Sequence, residues 1–147
     1  KLGQFHLETD EITTKMNALK KALHLSEIMY LSTCNRVEFL FVTSTELPKG
    51  FVSTFVQHFN AEWDESTIES IAKKARTWNG INAVNHLIEV ASSLDSMVLG
   101  EREIIAQVRN AYDFAHKESL SGDTLRVIIR HTIETAKKVY TLSLIHI

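Results

Sequence analysis

The chain has 147 residues, 44% hydrophobic and 23% charged, the composition of one globular unit. Its 16 Lys and Arg against 18 Asp and Glu leave a net charge of −2, which excludes a nucleic-acid module built on a strongly basic surface. No apolar run reaches the roughly 18 to 20 residues that span a bilayer, and residues 1–10 have no signal-peptide core, so a cytoplasmic protein is expected.

One Pro and five Gly leave no flexible linker, and residues 1–147 are read as a single domain. Thr9 or Asp10 is a fitting N-cap for a first helix over about 10–23, in which Ile12, Met16, Leu19 and Leu23 recur at helical spacing. Ile28 to Leu31 reads as a short buried strand. Val37, Phe39 and Phe41 alternate with Glu38, Leu40 and Val42 as a second one. Between them Ser32-Thr33-Cys34-Asn35-Arg36 makes a tight connection, with Asn35 suited to a left-handed turn position.

Pro48 and Gly50 precede a helix on which Phe51, Val52, Phe55, Val56 and Phe59 share a face, and a shorter helix follows around Ile68, Ile71 and Ala75. Arg76-Thr77-Trp78 is expected as a brief strand ended by Asn79-Gly80. The next helix has Val84, Leu87, Ile88 and Ala91 as its apolar stripe. His86 lies off that stripe, on the side of Asn82, Glu89 and Ser93. After a connection over 92–99, Gly100 introduces a helix carrying Ile104, Val108, Ala111 and Ala115, and Gly122-Asp123 starts a last one on Leu125, Ile128, Ile129, Ile133, Ala136 and Val139. Helix dominates, with a few strands.

Cys34, the one cysteine, cannot form an internal disulfide, and its thiol is free for chemistry. A free cysteine is more often a buried hydrophobe than a nucleophile. The turn around Cys34 nevertheless gathers a hydroxyl, an amide and the Arg36 guanidinium, the groups that would orient a carboxylate-bearing substrate and favour a thiolate. His86 has the acid–base range of a proton carrier; a solvated helix histidine is its plainer reading. Histidine and cysteine spacing offers no metal site. Ser96 and Glu101 either line an anion site or cap and complement the helix that follows, the latter favoured by spacing. Gln107 is by default solvated. The basic stripe of Arg126, Arg130 and Lys137 is ordinarily a solvated face, with RNA contact as the alternative. No Gly-x-Gly-x-x-Gly follows a strand, so no residue is assigned to a dinucleotide.

Two stretches, Leu31-Ser32-Thr33-Cys34-Asn35-Arg36-Val37-Glu38 and Val90 through Glu101 continuing to Gln107-Val108, together resemble the glutamyl-tRNA reductase family, and the resemblance runs from about Phe5 to Ser143. It implies an α+β fold, a ferredoxin-like small sheet with packed helices followed by a helical region. It implies also that Cys34 attacks the ester carbonyl of glutamyl-tRNA to give a glutamyl thioester, which NADPH reduces to glutamate-1-semialdehyde for tetrapyrrole synthesis. By the same resemblance His86 falls on the position proposed as base, and Thr33, Arg36, Ser96, Glu101 and Gln107 on substrate-pocket positions. A homodimeric full-length enzyme and glutamate-1-semialdehyde aminomutase are the implied protein partners.

The sequence departs from the family pattern at Val37, where Thr is common, at Ser93 for Gly, at Arg102-Glu103 for Pro-Gln and at Tyr140 for Arg. Against the family, the opening strand is expected to be absent before Lys1, and the NADPH and dimerisation domains after Ile147. An unpaired sheet edge and self-association would follow. Two rival readings remain: a thiol-dependent esterase or amidase using Cys34 and His86, and a non-catalytic interaction module with an inert Cys34.

Overall fold

The fold was obtained as a computed structural model, which describes residues 2–34, 36–92 and 103–146. Among these, a 3-10 turn at Leu2–Phe5 leads into helix α1 (Thr9–Ala22), then strands β1 (Glu27–Ser32) and β2 (Val37–Val42), then helices α2 (Phe51–Phe59), α3 (Glu65–Lys74), α4 (Ile81–Ala91), α5 (Glu103–Lys117) and α6 (Asp123–His146). The two strands form an antiparallel hairpin in the register Glu27 to Val42 through Ser32 to Val37. The expected α+β architecture is thus present, with a two-stranded sheet among the described residues.

β1 carries the core. Ile28, Met29, Tyr30 and Leu31 are consecutive and all buried, so both faces of the strand are covered, as a continuous apolar run requires. Helices α1 and α5 do the covering: Met16 and Leu19 of α1 and Val108 of α5 are fully buried in the same cluster. The Tyr30 hydroxyl donates to the Phe5 carbonyl at 2.8 Å and accepts the Leu7 N–H at 3.0 Å, which ties the first turn to the strand. β2 is half-buried along its length. Its Phe39 and Phe41 meet the Phe55 ring of α2 at centroid distances of 5.0 and 6.1 Å, since the odd positions of the strand share one face.

The helix starts follow local chemistry. α1 begins one residue earlier than expected, with Glu8 rather than Thr9 or Asp10 as N-cap, because the Glu11 carboxylate accepts the Glu8 N–H at 3.1 Å. Asp64 caps α3 by accepting the Thr67 N–H at 2.8 Å. Gly80 enters α4 at φ +59°, a conformation that costs glycine little. Arg76 to Trp78 are not a strand: a strand needs a ladder partner, β2 pairs only with β1 among the described residues, and Trp78 is engaged elsewhere, as described below. Among the described residues, no helix is long and apolar enough to cross a membrane.

Candidate functional site

The connection between the strands is as tight as the sequence implies. The Thr33 N–H donates to the Arg36 carbonyl at 2.8 Å, which closes the connection between the strands. Cys34 therefore sits at the hairpin tip and is exposed. Asn35 itself lies outside the described residues. Arg36 directly precedes β2, and its guanidinium turns to the side on which Glu38 projects.

That side faces α4. His86 Nε2 is hydrogen-bonded to Glu38 Oε1, and the Arg36 guanidinium stands 3.8 Å from the same oxygen. The side chains of His86 and Glu38 are only 18% and 17% exposed, so the pair is not a solvated surface contact. The indole of Trp78 lies flat on the imidazole, with centroids 3.6 Å apart and planes 7° from parallel. His86 is thus off the core stripe of α4, where Leu87, Val90 and Ala91 are buried, yet the strand and the Trp78 ring shield it from water. The solvated-histidine reading does not survive this environment.

The structure accordingly brings Arg36 and His86 together through one carboxylate, close in sequence to Cys34 and Thr33. Among the described residues no hydrogen bond joins the Cys34 thiol to His86. Gln107, on α5, is half-buried rather than solvated, and its amide oxygen is buried without a hydrogen-bond partner among the described residues, as is the hydroxyl of Ser92 at the end of α4. Ser96 and Glu101 lie outside the described residues.

Two members of the constellation were not singled out from the sequence. The alternation over 37–42 put Glu38 on the face opposite Phe39 and Phe41, and that was the signal available for it. Trp78 had none, because its contact with His86 is tertiary.

Other surfaces fit the chemistry less well. A cleft of about 370 Å³ between α2 and α3, lined by Ser53, Gln57, Trp63, Glu65 and Ile68 among others, includes no nucleophilic thiol and none of the residues around Cys34. Arg126 and Arg130 lie on the exposed side of α6. No three His, Cys, Asp or Glu side chains among the described residues come together as a metal site.

A small α+β domain, with an exposed cysteine at a hairpin tip two residues before a guanidinium and four before the carboxylate of a shielded carboxylate–histidine pair, has the residue types that thiol acyl transfer uses. Comparison with known proteins gives that class a family. The profile of "Glutamyl-tRNAGlu reductase, N-terminal domain" matches residues 1–143. The glutamyl-tRNA reductase of Syntrophus aciditrophicus is 34% identical over 138 residues, 94% of this chain and 32% of that protein; that of Lawsonia intracellularis is 38% identical over 117 residues, 80% of this chain and 26% of that protein. Among solved structures, the glutamyl-tRNA reductase from Methanopyrus kandleri superposes with a TM-score of 0.67 at 29% identity, covering 94% of this chain and 30% of that one. The chain belongs to the glutamyl-tRNA reductase N-terminal domain family. It spans about a third of the length of the relatives it matches.

Proposed function

We propose that this chain is the catalytic domain of a glutamyl-tRNA reductase and carries its acyl-transfer step. The Cys34 thiolate attacks the ester carbonyl of glutamyl-tRNA, a C–S bond forms, the ester C–O bond breaks, and the departing ribose oxygen of the tRNA takes a proton. A glutamyl thioester remains on Cys34. His86 is the group assigned to proton movement, and Arg36 the group that grips a carboxylate of the glutamyl moiety through its paired donors. Thr33, Gln107, Ser96 and Glu101 are assigned to the substrate pocket by the family pattern.

In the family reading NADPH then reduces the thioester to glutamate-1-semialdehyde for tetrapyrrole synthesis, in a homodimeric cytoplasmic enzyme that passes its product to the aminomutase. The described residues do not fit the nucleotide: their one sheet is an antiparallel hairpin, and no described strand feeds a glycine-rich turn into a helix. The reduction is therefore not assigned to any residue of this domain.

The observation that carries the reading is the exposed Cys34 at the hairpin tip, two residues from Arg36 and four from the Glu38 that holds His86. The test is intact-mass spectrometry after incubation with glutamyl-tRNA, beside Cys34→Ser and with alanyl-tRNA as the non-cognate control. A glutamyl adduct on the unaltered chain alone is expected. An equal adduct from alanyl-tRNA would remove the specificity. No adduct on this chain, or on a full-length reductase containing it, would remove Cys34 as the nucleophile.

A further inference from the structure

We infer that Glu38 is a positioning residue for His86: its carboxylate accepts the Nε2–H and so leaves Nδ1 as the ring nitrogen with a free lone pair, while Trp78 fixes the plane of the ring. This deepens the acyl-transfer reading and rests on it for the role of His86.

Three observations carry the inference. The hydrogen bond joins Glu38 Oε1 to Nε2, the arrangement in which a carboxylate oxygen accepts and the imidazole N–H donates. The stack on Trp78, at 3.6 Å and 7°, removes the freedom of the ring to tilt. Both partners of the bond are more than four-fifths shielded, which keeps water from competing for it. A carboxylate that orients a histidine through one ring nitrogen, so that the other can work, is a recurring device of acid–base sites.

The same oxygen of Glu38 also faces Arg36 at 3.8 Å, too long for a strong pair, and Oε2 is buried without a hydrogen-bond partner among the described residues. Glu38 is therefore shared between the residue assigned to bind the substrate and the residue assigned to move the proton. When Arg36 turns to an incoming carboxylate, His86 is left as the remaining partner of Oε1. Binding and orientation of the base are coupled through one side chain.

The test has two readouts. Long-range proton–nitrogen correlation on the chain labelled with ¹⁵N histidine reports which ring nitrogen of neutral His86 carries the proton. The Nε2–H form is expected in the unaltered chain, and a mixture of both forms in Glu38→Ala. The rate of Cys34 acylation at saturating glutamyl-tRNA is expected to fall by about 10 to 100-fold in Glu38→Ala and in His86→Ala, with the double variant no slower than either, because a carboxylate that orients an imidazole acts only through it. Glu38→Asp should recover part of the rate, and the isosteric Glu38→Gln provides a folded comparison if Glu38→Ala loses its circular dichroism. An Nδ1–H form in the unaltered chain, or single effects that multiply in the double variant, would overturn the inference. Absence of any acylation would count against the acyl-transfer reading instead, and the tautomer measurement would still decide the role of Glu38.

Discussion

Glu27 and Gly122, ninety-five positions apart, are joined by a hydrogen bond from the Gly122 N–H to the Glu27 carboxylate. The same carboxylate accepts the Leu125 N–H at 3.0 Å and the Thr124 N–H at 3.2 Å, so a strand residue does the work of an N-cap for α6. Glu27 is 7% exposed, and its negative charge is held there by three backbone donors at the positive end of a helix. Glu27→Ala is expected to cost roughly 2–3 kcal/mol of unfolding free energy, because it strands those donors, and Glu27→Gln about half of that. Urea denaturation of the two variants checks both values and their order.

Arg36 is partly exposed and its pair with Glu38 is long, so its removal should scarcely alter stability. On the acyl-transfer reading proposed above, its effect belongs to substrate capture. Arg36→Ala should raise the glutamyl-tRNA concentration for half-maximal Cys34 acylation by about 10 to 100-fold, the worth of a charge-assisted hydrogen bond or two. Arg36→Lys should recover only part of it, since an ammonium lacks the planar fork. A titration of acylation rate against substrate, in which Lys served as well as Arg, would show that charge alone matters.

Asp64 supplies a pH dependence. The Thr67 hydroxyl, and after it the Thr67 N–H, hold the Asp64 carboxyl below the usual carboxylate range. A pKa depressed by folding gives stability that is fully present above the unfolded value and is lost as pH falls through the folded one. Asp64→Asn keeps a capping oxygen but cannot titrate. The urea midpoint of the unaltered chain minus that of the variant should shrink on acidification through the carboxylate range and stay constant near neutrality.

β2 makes a fourth prediction. Val37–Val42 has neither Pro nor Lys, the usual protections of a strand edge, and among the described residues only β1 pairs with it. Light scattering of the chain should show association that grows with concentration. A monomer at every concentration would mean that the edge is covered.

Much of this architecture was legible in the sequence because it is periodic. Alternation placed β2 at its observed bounds, and helical spacing found all six helices, though it followed α6 only to Val139, short of its end at His146. Where a single residue was to be placed, the pattern reached less far. The wheel of α4 put His86 off the apolar stripe but had no means of showing that β2 and Trp78 would close over it, so the pair with Glu38 could not be seen. Arg76 to Trp78 read as a strand on local composition, whereas strand formation depends on a neighbour that the described fold does not supply. The family motif brought Cys34, Arg36 and Gln107 forward. The half-buried setting of Gln107 and its unpaired oxygen came only from the packing of α5.

The hairpin tip has one more implication. Cys34 and Arg36 lie two positions apart in one chain segment, whereas His86 joins Glu38 from a helix forty-eight positions further on. Damage to the fold should therefore strike these functions unequally. On the acyl-transfer reading, a fluctuation that lifts α4 away would withdraw His86 yet leave Cys34 and Arg36 on their own segment, producing a sluggish centre that can still be charged and not a dead one. Mild denaturant, heat or a destabilising substitution in α4 should thus dissociate the speed of acylation from its final extent, with rate declining long before the yield of thioester does.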